Sequence, residues 1–332
     1  ILSLFFRPVK RKKAVKIGAG TRRACLERNQ SEVVINAGDQ LTPEEAEVIA
    51  SVCDDEDDIF DESQSVHDSH VANTVRVKAI EAMGALGVEV SASELREAEM
   101  VMYKIAGLAK RVNDTAHLKA EFEILVDAAA KDPNSPITGE KRSLDRRVST
   151  RWNSDLACLD AYFLLYCIIE KLTGVRDHKL QGFILTDNQR HLAEELRDIL
   201  LVVEGPTQLF SQAEVPLIAE VIPMFLVIQQ ALKKASDDDK LLPILRISAY
   251  AGLLVCKKYY ALTDECEAYY IAIVMSPDKK LSWFITNGFT MAEVQEIRKM
   301  AITRWEESYK KYQCTFSQAV TLQNNQNIVR FS

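Results

Sequence analysis

From Ser93 onward, apolar residues recur at steps of three and four. This period constrains the chain more than any other feature. Leu95, Met102, Ile105, Ala106, Leu108, Ala109 and Val112 make the first such stripe. A period near 3.6 places them on one side of an α-helix, whereas a half-buried strand needs a period of two. The spacing opens this helix at Ser93-x-x-Arg96-Glu97, and Asn113-Asp114-Thr115 breaks it. A second helix runs from Ala116 to Ala130 with Leu118, Phe122, Leu125 and Val126 on one side, and Asp132-Pro133-Asn134-Ser135-Pro136 ends it. Only 12 glycines and 9 prolines punctuate 332 residues, too few for the many turns of an all-β fold. The expected fold is mainly α, a multi-helix assembly.

The same period continues. Leu156, Leu159, Phe163, Tyr166, Cys167 and Leu172 predict a long helix stopping near Thr173-Gly174. Thr186-Asp187-Asn188 caps a helix bearing Leu192, Leu196, Ile199, Leu200 and Val203, with Gly205-Pro206 as its breaker. A helix from Pro216 to Lys234 is expected to kink at Pro223. Leu241 to Ala261 and Thr290 to Tyr312 read as two more helices, and Tyr269 to Met275 as a short strand or a buried helix. Trp283, Trp305, Tyr259-Tyr260 and Tyr269-Tyr270 read as core or interface residues. No internal repeat is present.

Residues 1–92 read differently, as a poorly ordered segment, basic and then acidic. Arg7, Lys10, Arg11, Lys12, Lys13, Lys16, Arg22 and Arg23 precede the first acid, Glu27. Asp54-Asp55-Glu56-Asp57-Asp58 follow as an acidic block, the composition of a solvated segment. Thr42 and Glu45 form a capping box with Pro43 between them, and a weak helix is expected around Val71 to Met83. The three regions expected are thus 1–92, a helical domain at 93–315 and an Asn/Gln-rich flexible tail at 316–332. The first residue is Ile1, which suggests a processed chain, a piece of a longer one, or an incomplete gene model.

Seven cysteines without a C-x-x-C pair suggest reduced thiols in an intracellular, non-secreted protein. No uncharged apolar run reaches the roughly 18 residues of a membrane span. His67-Asp68-Ser69-His70 with Cys53 lacks the Cys pairing of a structural zinc site. Gly18-Ala19-Gly20 lacks the third spaced glycine of a dinucleotide loop. No cofactor, metal or small-molecule substrate is therefore expected.

Three segments, in order, carry a resemblance. Thr150-Arg151-Trp152-Asn153-Ser154 precedes a helix. Leu209-Phe210-Ser211 follows another, with Pro216 and Pro223 beyond it. Ser276-Pro277-Asp278-Lys279-Lys280-Leu281-Ser282-Trp283-Phe284 precedes the helix that holds Trp305 and Tyr309. Together, over roughly Glu94 to Lys311, they resemble the hAT superfamily of DNA transposases. The resemblance implies a large helical region inserted into an RNase H-like core, whose two aspartates and one glutamate bind divalent metal. The family's C-x-x-H motif upstream and its E-R-x-F-S-like motif downstream are both missing here. The resemblance therefore implies the helical insertion region alone, a transposon-derived fragment without catalytic carboxylates and without enzyme activity.

For function, the resemblance implies a nuclear protein that retains DNA contact. Trp152 would stack on an unpaired base, worth about 1–3 kcal/mol. Arg151 would meet phosphate, with Arg146, Arg147 and Asn153 as further DNA-binding candidates. Apart from the resemblance, the basic run Lys10, Arg11, Lys12 and Lys13 suggests phosphate contact or nuclear import. The competing reading is structural: Trp152 packs under the following helix and Asn153 caps it. The net charge of -7 favours a helical scaffold for protein partners or self-association, with no nucleic-acid role. A third reading is an active transposase whose missing ends belong to an incomplete gene model.

Overall fold

A computed structural model describes residues 5–6, 48, 62–137, 140–148, 152–308 and 310. Within them the fold is all-α, a multi-helix assembly with no strand among the described residues. The helices are α1 (Glu62–Gly84), α2 (Ala92–Asp114), α3 (Ala116–Ala130), α4 (Trp152–Leu164), α5 (Tyr166–Thr173), α6 (Asp187–Phe210), α7 (Val221–Asp237), α8 (Pro243–Ala261), α9 (Glu267–Met275), α10 (Lys280–Thr286) and α11 (Met291–Ser308). Short 3₁₀ turns lie between them. The chain divides into two compact units, Ile1–Gln208 with Ile228–Val255, and Leu209–Val227 with Cys256–Ser332.

The first unit is built around α2. From Met100 to Ala109 every residue but Lys104 is buried, on all sides of the helix. A helix apolar all round must be covered all round. Leu118, Phe122 and Val126 of α3 cover one side, and Leu156, Leu159 and Tyr162 of α4 another. Phe183, in a 3₁₀ turn, and Leu192, Leu196 and Leu200 of α6 join the same cluster. Lys104 escapes by reaching out, its Nζ donating to the Ile184 carbonyl and to Gln189 Oε1, both at 2.9 Å. Each large apolar side chain buried here contributes about 1.5–3 kcal/mol.

Of residues 1–92, expected to be poorly packed, the structure describes 5–6, 48 and 62–92. Phe5 and Phe6 are buried, as are Ala79 and Met83 of α1. Gly87 ends α1 at φ +81, where a side chain is strained. Its N–H bonds to the Gly84 carbonyl at 2.9 Å, and that of Val88 to the Met83 carbonyl at 3.0 Å. This crossed pair closes the helix, and buried Val88 packs with buried Met83 in one cluster.

The second unit is smaller. Ile222, Tyr270, Ile273, Phe284, Val294 and Ile297 form its buried cluster. Gly288 repeats the device of Gly87 at φ +88: Gly288 bonds back to Ile285 at 3.4 Å and Phe289 to Phe284 at 3.1 Å. The Phe284 and Phe289 rings then meet edge to face at 5.1 Å. Tyr269 to Met275 is helical, within α9. Trp283 is half-buried against this cluster, but Trp305 is exposed, contrary to a core placement, and Tyr259 is exposed too.

Helix boundaries differ from the sequence spacing in four places. The predicted long helix through Leu156 and Leu172 is interrupted at Leu165, which separates α4 from α5. Pro206 does not stop α6, which continues to Phe210. Pro223 is the third residue of α7, within the first turn, where backbone N–H groups have no intrahelical partner. Ser91 rather than Ser93 starts α2, because only Ser91 has a glutamate three residues on. The Ser91 N–H and hydroxyl each donate to Glu94 Oε2 at 2.7 Å, and the hydroxyl accepts from the Glu94 N–H at 3.2 Å.

Those bonds, the backbone one first, hold the Glu94 carboxyl below its ordinary value of 4.5. A depressed carboxylate stabilises the fold above its unfolded pKa, and that contribution is lost as pH falls through the folded value. Ser91→Ala is expected to cost about 1 kcal/mol at neutral pH, and Ser93→Ala less. Chemical denaturation at pH 7 and at successively lower pH below 4.5 checks this: the gap between wild type and Ser91→Ala narrows on acidification.

Candidate nucleic-acid interface

The described candidate residues, Arg146, Arg147, Trp152 and Asn153, lie where the 131–148 loop leads into α4. The loop is fixed by its own turn chemistry. Asp132 Oδ1 accepts from the Asn134 N–H at 2.9 Å, and Ser135 Oγ from the Ile137 N–H at 3.1 Å. Ile137 and Leu144 are buried in the first unit's core. Asn113 Nδ2 donates to the Leu144 carbonyl at 2.9 Å, and the Cys158 thiol to the Asp145 carbonyl at 3.1 Å.

Four cations of the loop, Lys141, Arg142, Arg146 and Arg147, each meet a carboxylate. Lys141 pairs with Asp145 in the loop, Arg142 with Asp127 on α3, and Arg146 with Asp114 at the end of α2. Arg147 Nε donates to Asp155 Oδ1 at 3.0 Å. These pairs are not equivalent. Arg142 and Arg146 are 54% and 55% exposed, so their pairs contribute at most about 1 kcal/mol and a phosphate can displace the carboxylate. Arg146 also sits at a helix C-terminus, which favours a cation. Arg147 is 12% exposed and Asp155 fully buried, so Arg147 is committed to the interior.

Of the motif itself, Trp152 opens α4 and is half-buried against the core of the first unit. The structural alternative assigns the capping role to Asn153. Instead Asn153 is the second residue of the helix, exposed, with no side-chain hydrogen bond among the described residues. Ser154 performs the fastening. Its hydroxyl donates to the Val148 carbonyl and accepts from the Val148 N–H, both at 2.9 Å, clipping the loop to the first turn of α4. Arg151, Lys10, Arg11, Lys12 and Lys13 lie outside the described residues, as do Cys53 and the side chains of His67 and His70.

The decisive residue missed from sequence is Asp155. Its position one step before Leu156, and three and seven before Cys158 and Tyr162, puts it on the buried side of α4. That spacing is the signal that identifies it: an acid on an apolar face requires a buried cation.

Side-chain bonds also fasten the chain just before the second motif segment and within the third. Thr207 Oγ1 donates to the Val203 carbonyl at 2.8 Å in the last turns of α6. Lys279, 13% exposed, donates to Glu220 Oε1 at 2.6 Å and Asp278 Oδ2 at 3.1 Å. The Glu220 bond raises its pKa above the ordinary lysine value. Lys280, at φ 54, turns the chain into α10.

Among the described residues, no three His, Cys, Asp or Glu side chains gather as metal ligands, and no helix is long and apolar enough to cross a membrane. No family model, no curated protein and no solved structure matches this chain.

Two outcomes follow from this geometry. Arg147→Met robs buried Asp155 of its guanidinium and is expected to destabilise by about 3–5 kcal/mol. Arg146→Met is expected to change stability by less than about 1 kcal/mol. Urea denaturation of both variants measures the contrast.

Cysteine reactivity gives an independent check of the same packing. Burial, with Asp145 nearby, pushes the Cys158 thiol up to about 12, and burial raises Cys256 as well. The thiolate is the reactive form. Iodoacetamide at pH 8 is therefore expected to label exposed Cys167 and Cys266 in the native protein, and Cys158 and Cys256 only after unfolding, as read by peptide mass spectrometry.

Proposed function

We propose that this chain is the helical insertion region of a hAT-like DNA transposase, a transposon-derived and non-catalytic nuclear protein that holds DNA. The observation that carries this is the order of the three motifs: Thr150 to Ser154, then Leu209 to Ser211, then Ser276 to Phe284. The sequence contains neither the C-x-x-H nor the E-R-x-F-S-like motif that accompany the family's catalytic acids. Two-metal phosphodiester cleavage needs such carboxylates held on a rigid scaffold. What this reading retains is backbone contact, through Arg142 and Arg146 in exchangeable surface pairs, and a partly accessible Trp152.

A second reading, a helical scaffold for protein partners, is supported by one specific observation. Lys141, Arg142, Arg146 and Arg147 are each paired with an acid, and Trp152 is only partly accessible. A paired cation contributes little field to attract a phosphate backbone.

Mobility shift with duplex and hairpin-ended DNA separates the two. DNA holding predicts binding at low salt that weakens as salt rises. Arg146→Ala is expected to make the slope of log affinity against log salt shallower by about 1, the contribution of one phosphate contact. Trp152→Ala, checked for native helicity, should weaken the hairpin-ended complex more than the duplex. Absence of low-salt affinity for both DNAs leaves the scaffold reading standing alone.

A further inference from the structure

Helix α11 buries one side and, among the described residues, leaves three large apolar residues uncovered on another. Val294 and Ile297 are buried in the second unit's cluster, with Met300 packed against it. Arg304 on that side pairs with Glu267 of α9. A second stripe runs Met291, Gln295, Arg298, Ile302 and Trp305, at alternating steps of four and three. That spacing is a seam for a second helix. Met291, Ile302 and Trp305 are 59%, 47% and 44% exposed. At about 1.5 Å per residue the stripe is about 21 Å long, the length of an ordinary helix–helix contact.

The charge at its midpoint selects the occupant. Arg298 is exposed, and among the described residues it has no ion pair; Lys299 beside it has none either. A second copy of α11 centred on this seam, parallel in register or antiparallel, sets Arg298 against its twin. Like charges facing each other across an interface cost several kcal/mol. A helix with apolar residues at the same spacing and a carboxylate at its centre meets the guanidinium with an opposite charge, while its flanks cover Ile302 and Trp305. An isolated exposed apolar residue needs no explanation, but three on one helical seam around an uncompensated cation define a complementary surface.

We propose that the exposed seam of α11 docks an amphipathic helix of another protein, one with apolar residues at steps of three and four and a glutamate or aspartate opposite Arg298. This is helix-on-helix recognition, in which the apolar anchors supply affinity and the central charge supplies choice of partner. It is independent of the DNA-holding reading and uses none of the residues around Trp152.

The test titrates the full chain with a designed 21-residue helical peptide of about 32 Å. The peptide has leucine at the seam positions and glutamate at the centre, and its twin differs only by lysine at that centre. Binding is read by the change in tryptophan fluorescence, which Trp305→Phe should remove. The glutamate peptide is expected to bind at least about 10-fold tighter than the lysine twin, equivalent to about 1.4 kcal/mol. Arg298→Glu should reverse that order, and Ile302→Ser should weaken the preferred peptide by about 10-fold or more with helicity unchanged.

Equal binding of the two peptides, or an order indifferent to Arg298→Glu, overturns the proposal. Failure of both peptides to bind overturns it too. Sedimentation then tells whether a second copy covers the seam instead, as a dimer dissolved by Ile302→Ser.

Discussion

The middle of α2 is the constraint on which the first unit depends. A run from Met100 to Ala109 with no solvent face cannot exist without neighbours on every side. Helices α3, α4 and α6 are those neighbours, and the short turns between α5 and α6 exist to deliver Leu180, Phe183 and Leu185 to the same cluster. Even the one polar residue in the run conforms. Lys104 extends past the apolar layer to a carbonyl and an amide oxygen, so its charge remains solvated by dipoles rather than stranded.

That scaffold decides what the basic loop is for. Because α2, α3 and α4 are fixed by burial, Asp114, Asp127 and Asp155 are fixed with them, each facing the connection between α3 and α4. The loop's arginines then act first as ties between elements and only secondarily as a surface field. Depth separates the two roles. Removing solvent from the Arg147–Asp155 pair makes its rupture costly, whereas at the rim the same chemistry is nearly neutral and open to exchange. A chain of net charge -7 has little spare cation to spend on both.

Much of the architecture was legible because the apolar period is a direct image of burial. Helix α3 begins and ends where its spacing and its Asp-Pro terminator say. Legibility failed where a local residue has two meanings that only context separates. Proline reads as a breaker, yet Pro206 lies in the final turns of α6 and Pro223 in the first turn of α7, where its missing donor costs nothing. Ser91 and Ser93 are both plausible caps, and the glutamate three residues on distinguishes them. At the candidate interface, the arginines were visible as a cluster but their partners were not. Those partners lie 8 to 32 residues away along the chain, a distance over which charge patterns carry no pairing information.

The double hydrogen bond between Ser154 and Val148 gives the last letter of the Thr150–Ser154 string a place in the fold, because losing the hydroxyl frees the loop from the first turn of α4. Asp155, just beyond the string, is held in the fold through Arg147. Changes at Ser154 and Asp155 therefore register first as a loss of stability, whatever the chain binds.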